Sequence, residues 1–322
     1  MKYGYYPGCS LEKNAASYDM SAKAVARPLG IEFQELQDWN CCGASEYISI
    51  NRVAAYSLVA RNLSLAETQL EKGTDLVAPC SLCFLNLTKA DQYMQEDAPL
   101  SAKVNTALNA GGMHYDPGSI HTRHLMHIIT EDIGLDEVAA RVIRPLTGLR
   151  VAAYYGCLIV RPGFQSKFDN FEYPTSLDRL MKVCGAQVVD FPLRAHCCGG
   201  HMTQISQPVA LELIRRLLEN AAEYKADVIV TLCPMCQLNL DVYQADVNKY
   251  FKTNYNIPVL YFTQLMGLAF GLSAQELGIG KEFIDPRPAL AKIGVEVPPP
   301  EEPKPKKPSK EELPMPRMPE ES

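Results

Sequence analysis

The chain has 322 residues, which is enough for one large or two medium domains that each bury a core. Its composition is that of an ordinary globular protein, with 47% hydrophobic residues, 21% charged residues and a formal net charge of −6. Because there is no basic excess, we do not expect nucleic acid or an anionic membrane surface as a partner. The N-terminus has no export signal, and no segment has the roughly 18 consecutive apolar residues of a spanning helix. These features predict a cytoplasmic protein without membrane insertion.

Three groups of cysteines mark the first half of the chain. They are Cys9, the pair Cys41-Cys42 followed by Gly43, and Cys80-x-x-Cys83. A stretch rich in glycine and proline from 110 to 118 predicts a loop inside this half. The boundary between halves falls near 141–148, so we expect a first domain at 1–145.

The second half shows strand and helix patterns in alternation. The predicted elements are a strand at 149–155 before Cys157, a helix at 176–184 closed by Gly185, a strand at 187–191 before Cys197-Cys198-Gly199, a helix at 208–224 and a strand at 227–232 before Cys233-x-x-Cys236. We expect this second domain to cover 146–297.

The two halves repeat one another. The cysteine groups follow in the same order at nearly constant offsets, and both Cys-x-x-Cys pairs run on into x-Leu-Asn-Leu. An internal duplication is the simplest explanation. The alternation of strands and helices predicts an α/β fold with two pseudo-symmetric Rossmann-like halves and mainly parallel sheets. Since each cysteine group follows a strand, three loops can converge at the carboxyl ends of the strands, where open sheets bind ligands.

The composition changes abruptly at residue 298. Nine of the last 25 residues are proline, mixed with five basic and six acidic residues. This predicts a disordered or extended tail at 298–322.

Eleven cysteines point to metal binding or redox chemistry, because a reducing cytosol does not maintain structural disulfides. Zinc is saturated by four ligands and does no redox chemistry, so a fifth cysteine in each set would have no evident role. Iron accepts thiolates readily, and adjacent cysteines can reach different irons of one cluster. A structural zinc protein remains as an alternative.

The pattern of Cys, Cys-Cys-Gly and Cys-x-x-Cys, present twice, resembles the B subunit of the heterodisulfide reductases, within the wider family of cysteine-rich Cys-Cys-Gly domain proteins. The resemblance covers nearly all of residues 1–297. It implies a noncubane [4Fe-4S] cluster in each half, the two clusters facing a pocket where the disulfide of coenzyme M and coenzyme B is split. The implied ligands are Cys9, Cys41, Cys42, Cys80 and Cys83 for the first cluster, and Cys157, Cys197, Cys198, Cys233 and Cys236 for the second.

The same resemblance implies a complex. Electrons would come from an iron–sulfur C-type subunit, fed by a flavin-containing A-type subunit that bifurcates electrons. This chain has neither a ferredoxin-type cysteine run nor a Gly-x-Gly-x-x-Gly flavin fingerprint, so partners are expected to supply both. The expected reaction is reduction of a small disulfide to two thiols, or the reverse. The alternative is a non-catalytic electron-transfer subunit of a complex that oxidises a 2-hydroxyacid or glycerol 3-phosphate.

Other residues carry weaker signals. His196 and His201 bracket the second cysteine pair, where a histidine could donate to a cluster sulfur or protonate a departing thiolate. Cys184, whose counterpart is Leu29, is expected to be a buried helix residue. His121, His124 and His127 resemble a metal-binding face, but aligning Leu125 with Leu265 places them opposite Tyr261, Gln264 and Gly267, so we expect partial burial or an exposed helix face. Arg161, Lys167 and Arg194 lie near second-half cysteines and are expected to be solvated rather than to bind an anion.

Overall fold

Two parallel sheets organise the chain in the computed structural model, which describes residues 1–44, 47–161 and 169–299. The first sheet contains β1 (Lys2–Tyr5), β2 (Glu32–Glu35), β3 (Leu76–Ala78) and β4 (Thr122–His124) in the order β2-β1-β3-β4. The second contains β5 (Arg150–Tyr154), β6 (Gln187–Val188), β7 (Val228–Thr231) and β8 (Val259–Tyr261) in the order β6-β5-β7-β8. All neighbouring strands are parallel. The predicted α/β class and the two similar halves are therefore confirmed.

Helices connect the strands. Those of the first half are α1 (Gly8–Glu12), α2 (Ala16–Ala26), α3 (Tyr47–Ile50), α4 (Arg52–Gln69), α5 (Ser81–Glu96), α6 (Ala98–Ala110), α7 (Leu125–His127), a π-helical segment (Ile128–Ile133) and α8 (Leu135–Ala140). Those of the second half are α9 (Ser176–Val183), α10 (Met202–Ile205), α11 (Gln207–Glu223), α12 (Pro234–Val242), α13 (Gln244–Phe251), α14 (Phe262–Ala269), α15 (Arg287–Leu290) and a 3-10 turn (Ala291–Ile293).

Local sequence explains where these elements begin and end. The side chain of Asn51 accepts from the Ala54 N–H at 3.0 Å and caps α4, and Asp97 caps α6 in the same way. The central strands are apolar because helices cover both of their faces, and all four residues of β7 are buried. The strand predicted at 187–191 is shorter, since only β6 pairs with β5. The predicted loop at 110–118 follows the end of α6.

The two halves share the main core, and a second, smaller cluster of buried residues lies within the second half. Tyr18 of α2 stacks on Tyr261 of β8 with ring centroids 4.3 Å apart and an interplanar angle of 5°. Beside this stack, Ser21 Oγ and Thr263 Oγ1 are 2.6 Å apart. The main cluster of buried apolar residues accordingly draws on both halves. The proposed domain division at residue 145 stays a prediction, and the tail lies outside the described residues from residue 300 onward.

Two glycines that end corresponding helices allow a matched test of backbone strain. Gly30 and Gly185 both have positive φ, +67° and +89°. A Cβ on Gly30 would meet nothing within 4 Å, whereas one on Gly185 would lie 2.7 Å from Pro145 Cβ and 3.0 Å from Leu146 N. We expect Gly30→Ala to cost about 1–2 kcal/mol from the left-handed backbone alone. Gly185→Ala should cost about 1–3 kcal/mol more through overpacking.

The measurement is urea unfolding of the purified chain followed by circular dichroism. Equal shifts of the two midpoints would contradict the packing argument, because strain alone would then account for both.

Candidate functional site

The five cysteines of the first set meet at the carboxyl edge of the first sheet. Cys9 lies in the first turn of α1, the adjacent pair lies in the loop after β2, and Cys80 and Cys83 lie at the start of α5. Cys9 Sγ is 3.5 Å from Cys41 Sγ, and Cys42 Sγ is 3.4 Å from Cys83 Sγ. The loops after three neighbouring strands thus bring these thiols into contact, as predicted from the positions of the strands.

The second set repeats this arrangement. Cys157 follows β5, the adjacent pair follows β6, and Cys233 and Cys236 lie at the start of α12. Cys198 Sγ is 3.5 Å from Cys236 Sγ, which corresponds to the Cys42 and Cys83 contact. The duplication therefore extends to the geometry of the thiols.

The two sets adjoin at Cys80 and Cys233, whose buried thiols lie close enough to shift each other's pKa. The Tyr18 hydroxyl donates to the carbonyl of Pro79 at 2.9 Å and approaches that of Leu232 at 3.4 Å. These carbonyls immediately precede the two cysteines. One buried tyrosine thus fixes both Cys-x-x-Cys segments relative to each other.

Each set has a buried and an open side. The second cysteine of each adjacent pair and both Cys-x-x-Cys pairs are buried, whereas Cys9, Cys41 and Cys197 are exposed and Cys157 is intermediate. The hydrogen bond with Cys41, together with burial, raises the pKa of the Cys42 thiol to about 11. The hydrogen bond with Cys157 lowers the pKa of Cys197 to about 6. Because cysteine binds a metal as the thiolate, a bound metal centre has to displace the protons of the buried thiols.

Two cavities adjoin the thiols. One of about 310 Å³ is lined by all five cysteines of the second set, and its remaining wall includes Leu82, Leu158 and Met235. The other, of about 550 Å³, is lined by Cys41 and Tyr47 of the first half and by residues of α10. His201 and Ile205 line both cavities. The short helix α10 therefore forms a wall between them.

The residues present fit an iron–sulfur group. Gly8 and Gly156 have φ of +72° and +66°. A Cβ on Gly8 would lie 2.8 Å from Cys83 Sγ, and one on Gly156 would lie 2.9 Å from Cys236 Sγ. The backbone thus approaches a thiol in each set so closely that only glycine fits. In the part of the chain that the structure describes, no three His, Cys, Asp or Glu side chains form a single-ion site.

The two histidines near the second pair have different positions. His201 lines both cavities, as described above. His196 is exposed, and its backbone carbonyl accepts from the Tyr154 hydroxyl at 2.8 Å. The equivalent contact in the first half is the Tyr6 hydroxyl donating to the Asn40 carbonyl at 2.7 Å. These tyrosines therefore hold the chain just before each adjacent cysteine pair.

His121, His124 and His127 do not form a metal-binding face. His124 and His127 are buried, whereas His121 is exposed and contacts Asp75 at 3.1 Å. Burial lowers the pKa of His124 to about 4, so its imidazole is neutral at pH 7. The expectation of partial burial or an exposed face is wrong for the two buried rings.

The strand registers also correct the alignment of the halves in this region. His124 pairs with Ala78 in the first sheet, and Tyr261 pairs with Thr231 in the second. Tyr261 is therefore the counterpart of His124, three residues away from the alignment derived from the sequence. Hydrophobic spacing alone could not fix this register, because both alignments match apolar residues.

Cys184 and Arg194 are buried, whereas Arg161 is exposed. Cys184 is fully buried, and burial raises the pKa of its thiol to about 12. Arg194 is also buried and pairs with Asp178 at 2.8 Å, so the expectation of a solvated charge is wrong for this residue. Arg161 is exposed, and Lys167 lies outside the described residues.

No role was expected for Asn86 and Asn239 from the sequence, although each is the asparagine of the x-Leu-Asn-Leu segment that both halves share. Each amide contacts the second cysteine of the adjacent pair in its own half. The repeated segment therefore places a polar side chain beside each cysteine set.

Comparison with known proteins identifies the family. The model of the cysteine-rich domain, CCG, matches residues 3–88 and 151–241. The chain belongs to this family. The matched segments contain both complete cysteine sets, and cysteine-rich domains of this kind imply an iron–sulfur subunit.

Several curated proteins are similar to this CCG protein over most of its length. The 8-methylmenaquinol:fumarate reductase membrane anchor subunit of Wolinella succinogenes is 36% identical over 88% of this chain and 97% of its own. The B subunit of the ferredoxin/F(420)H(2)-dependent CoB-CoM heterodisulfide reductase of Methanosarcina acetivorans is 30% identical over 91% and 97%. A protein of Archaeoglobus profundus, named for its likeness to the heterodisulfide reductase B subunit, is 30% identical over 86% and 93%. The resemblance to the B subunit of the heterodisulfide reductases is thereby confirmed.

The fold also resembles a solved structure. A hypothetical protein from Helicobacter pylori superposes with a TM-score of 0.68 at 16% identity, covering 88% of this chain and 52% of that one. This CCG protein thus spans about half of the solved chain, and the likeness shows the fold alone. None of the helices in the described ranges combines the length and apolar character needed to traverse a bilayer.

The close approach at Gly8 can be tested against a glycine of equal conformation. Gly8 and Gly112 both have φ of +72°, but a Cβ on Gly112 would meet nothing within 4 Å. We expect Gly8→Ala to displace the Cys83 sulfur and to reduce bound iron to about half, because one of two duplicated sites is disturbed. Iron and sulfide analysis after anaerobic purification measures this. Gly112→Ala carries the same backbone strain and should retain its iron, so equal losses in both variants would refute the steric argument.

Proposed function

We propose that this chain is the iron–sulfur subunit of a multi-subunit oxidoreductase. Its two sets of five cysteines would hold two noncubane [4Fe-4S] clusters, one in each half. The observation that carries this proposal is the cavity lined by all five cysteines of the second set. The matching contacts in the first set support an equivalent site there. The family match across both halves agrees with this assignment.

The chain itself would bind and orient the reacting groups. Bound clusters supply or accept electrons one at a time. The buried side of each set excludes water from three of its five cysteines. Tyr18, which bonds the carbonyls just before Cys80 and Cys233, holds the two sites side by side, and this proximity favours electron exchange between them.

We infer that the substrate is a small disulfide or the two thiols derived from it. The relatives named as B subunits of heterodisulfide reductases support this class, and both cysteine sets are complete here. Reduction requires two electrons and two protons for each disulfide, and it yields two thiols. His201, which lines both cavities, is the candidate proton donor to a departing thiolate. The electrons would come from an iron–sulfur C-type subunit and a flavin-containing A-type subunit.

A second candidate is electron transfer between a quinol and a fumarate-reducing partner. The relative named 8-methylmenaquinol:fumarate reductase membrane anchor subunit favours it, at 36% identity. The apolar side chains of Leu82, Leu158 and Met235 in the cavity wall also suit an apolar two-electron carrier. A quinol that is oxidised there releases two electrons and two protons. This candidate corresponds to a relay subunit rather than to a disulfide reductase.

The ligand assignment predicts a sharp difference between Cys236→Ser and Cys184→Ser. Both cysteines are buried. We expect the first variant to lose about half of the bound iron, because it removes a ligand from one of two sites. The second should keep its iron, since Cys184 is enclosed by core residues. Anaerobic preparations analysed for iron, sulfide and visible absorption provide the measurement, and a colourless unmodified protein would end the cluster proposal.

A spectroscopic titration of the anaerobically purified complex separates the two substrates. If the disulfide assignment is correct, thiols added to the oxidised protein will change its paramagnetic signal and menaquinol analogues will not. The opposite pattern would establish the quinol relay in its place.

The variant His201→Asn tests the proton donor. Disulfide turnover should fall by roughly 100-fold or more, because a general acid contributes about this much to the rate, and the iron content should stay unchanged.

A further inference from the structure

An asparagine amide spans the adjacent cysteine pair of the first set. Asn86 Nδ2 lies 3.1 Å from the Cys42 carbonyl oxygen and 2.8 Å from the Ala44 carbonyl oxygen. The same nitrogen lies 3.5 Å from Cys42 Sγ. The side chain comes from α5, the helix that also carries Cys83. One amide thus links the Cys-x-x-Cys helix to the loop of the adjacent pair.

The second half reproduces every one of these contacts. Asn239 Nδ2 lies 3.1 Å from the Cys198 carbonyl oxygen, 2.8 Å from the Gly200 carbonyl oxygen and 3.6 Å from Cys198 Sγ. Asn239 is 1% exposed and belongs to α12. The two halves differ in most of their other side chains, so the shared geometry indicates a shared task.

An amide suits this position for a chemical reason. Its two N–H groups face two carbonyl oxygens and one sulfur, all of which are acceptors once the cysteine is a thiolate. A carboxylate of the same shape would offer no donor and would repel the sulfur. The tyrosine contacts to the Asn40 and His196 carbonyls hold the other end of each loop. The adjacent cysteines are therefore fastened on both sides.

We propose that Asn86 and Asn239 are positioning residues that set the reduction potentials of the two clusters, each acting on the cluster of its own half. This inference rests on the proposed function, because it requires clusters on the two cysteine sets. Each amide orients the Cys-Cys-Gly loop and donates to the thiolate of its second cysteine. Hydrogen bonds to ligand sulfurs stabilise the more negative, reduced state and raise the reduction potential.

The test replaces each asparagine with its isosteric acid, as Asn86→Asp and Asn239→Asp, in the full chain. Asn105→Asp is the matched control, since Asn105 is also buried and exchanges two 3.0 Å hydrogen bonds with the Tyr115 backbone away from the cysteines. We expect each site variant to shift the one-electron equilibrium of one cluster signal by about tenfold, which corresponds to ~59 mV. The shift should be toward lower potential, and the control should leave both signals unchanged. Potentiometric titration followed by paramagnetic resonance measures this.

The outcomes separate this inference from the function on which it rests. Unmodified protein without iron would refute the proposed function. If the unmodified protein holds iron and the variants shift neither signal, or shift both equally, the positioning role is wrong and the function stands. Loss of iron from one site only would indicate a purely structural contact and would contradict control of the potential by that asparagine. If an aspartate variant fails to fold, Asn86→Ser and Asn239→Ser are judged by the same criteria.

Discussion

Cysteine thiols packed at contact distance repel one another once they ionise, and the scaffold of both sites has to withstand this repulsion. The hydrogen bond with Cys41, and after it burial, raises the pKa of the Cys42 thiol and so disfavours its thiolate further. A cationic centre removes both penalties, because it supplies the opposite charge at short range. An iron–sulfur cluster meets this requirement. The scaffold must nevertheless hold the thiols together against their own repulsion.

Parallel sheets solve this problem through their topology. In each half, three neighbouring strands end at the same edge, so their following loops converge without a long connection. Helices then begin directly after β1, β3 and β7, and they carry cysteines at their starts. The asparagine and tyrosine contacts fix the remaining loop. Rigid elements thus hold most of each site, which is the arrangement that a redox centre needs to keep its geometry on electron transfer.

The duplication places two such sites in one core, but it does not make them identical. Tyr18 and Tyr261 stack near the contact between the halves, and the Tyr18 hydroxyl bonds the carbonyls next to Cys80 and Cys233. Away from this contact the two cavities differ, because all five cysteines of the second set line one of them whereas Cys41 lines the other. His201 and Ile205 line both cavities, so the two cavities share one wall.

The sequence by itself determined the duplication, the α/β class and the grouping of the cysteines. These follow from short-range patterns: alternating strand and helix periodicity, and cysteines placed just after strands. Only the tertiary structure decided that Cys80 lies close to Cys233 and that His201 lies beside both cavities. It also decided the buried ion pair of Arg194 and the strand register that makes Tyr261 the counterpart of His124. Each of these depends on where distant segments meet, which periodicity does not encode. Asn86 and Asn239 lay between these cases, since their repeat was visible in the sequence but their acceptors belong to a loop about 40 residues away.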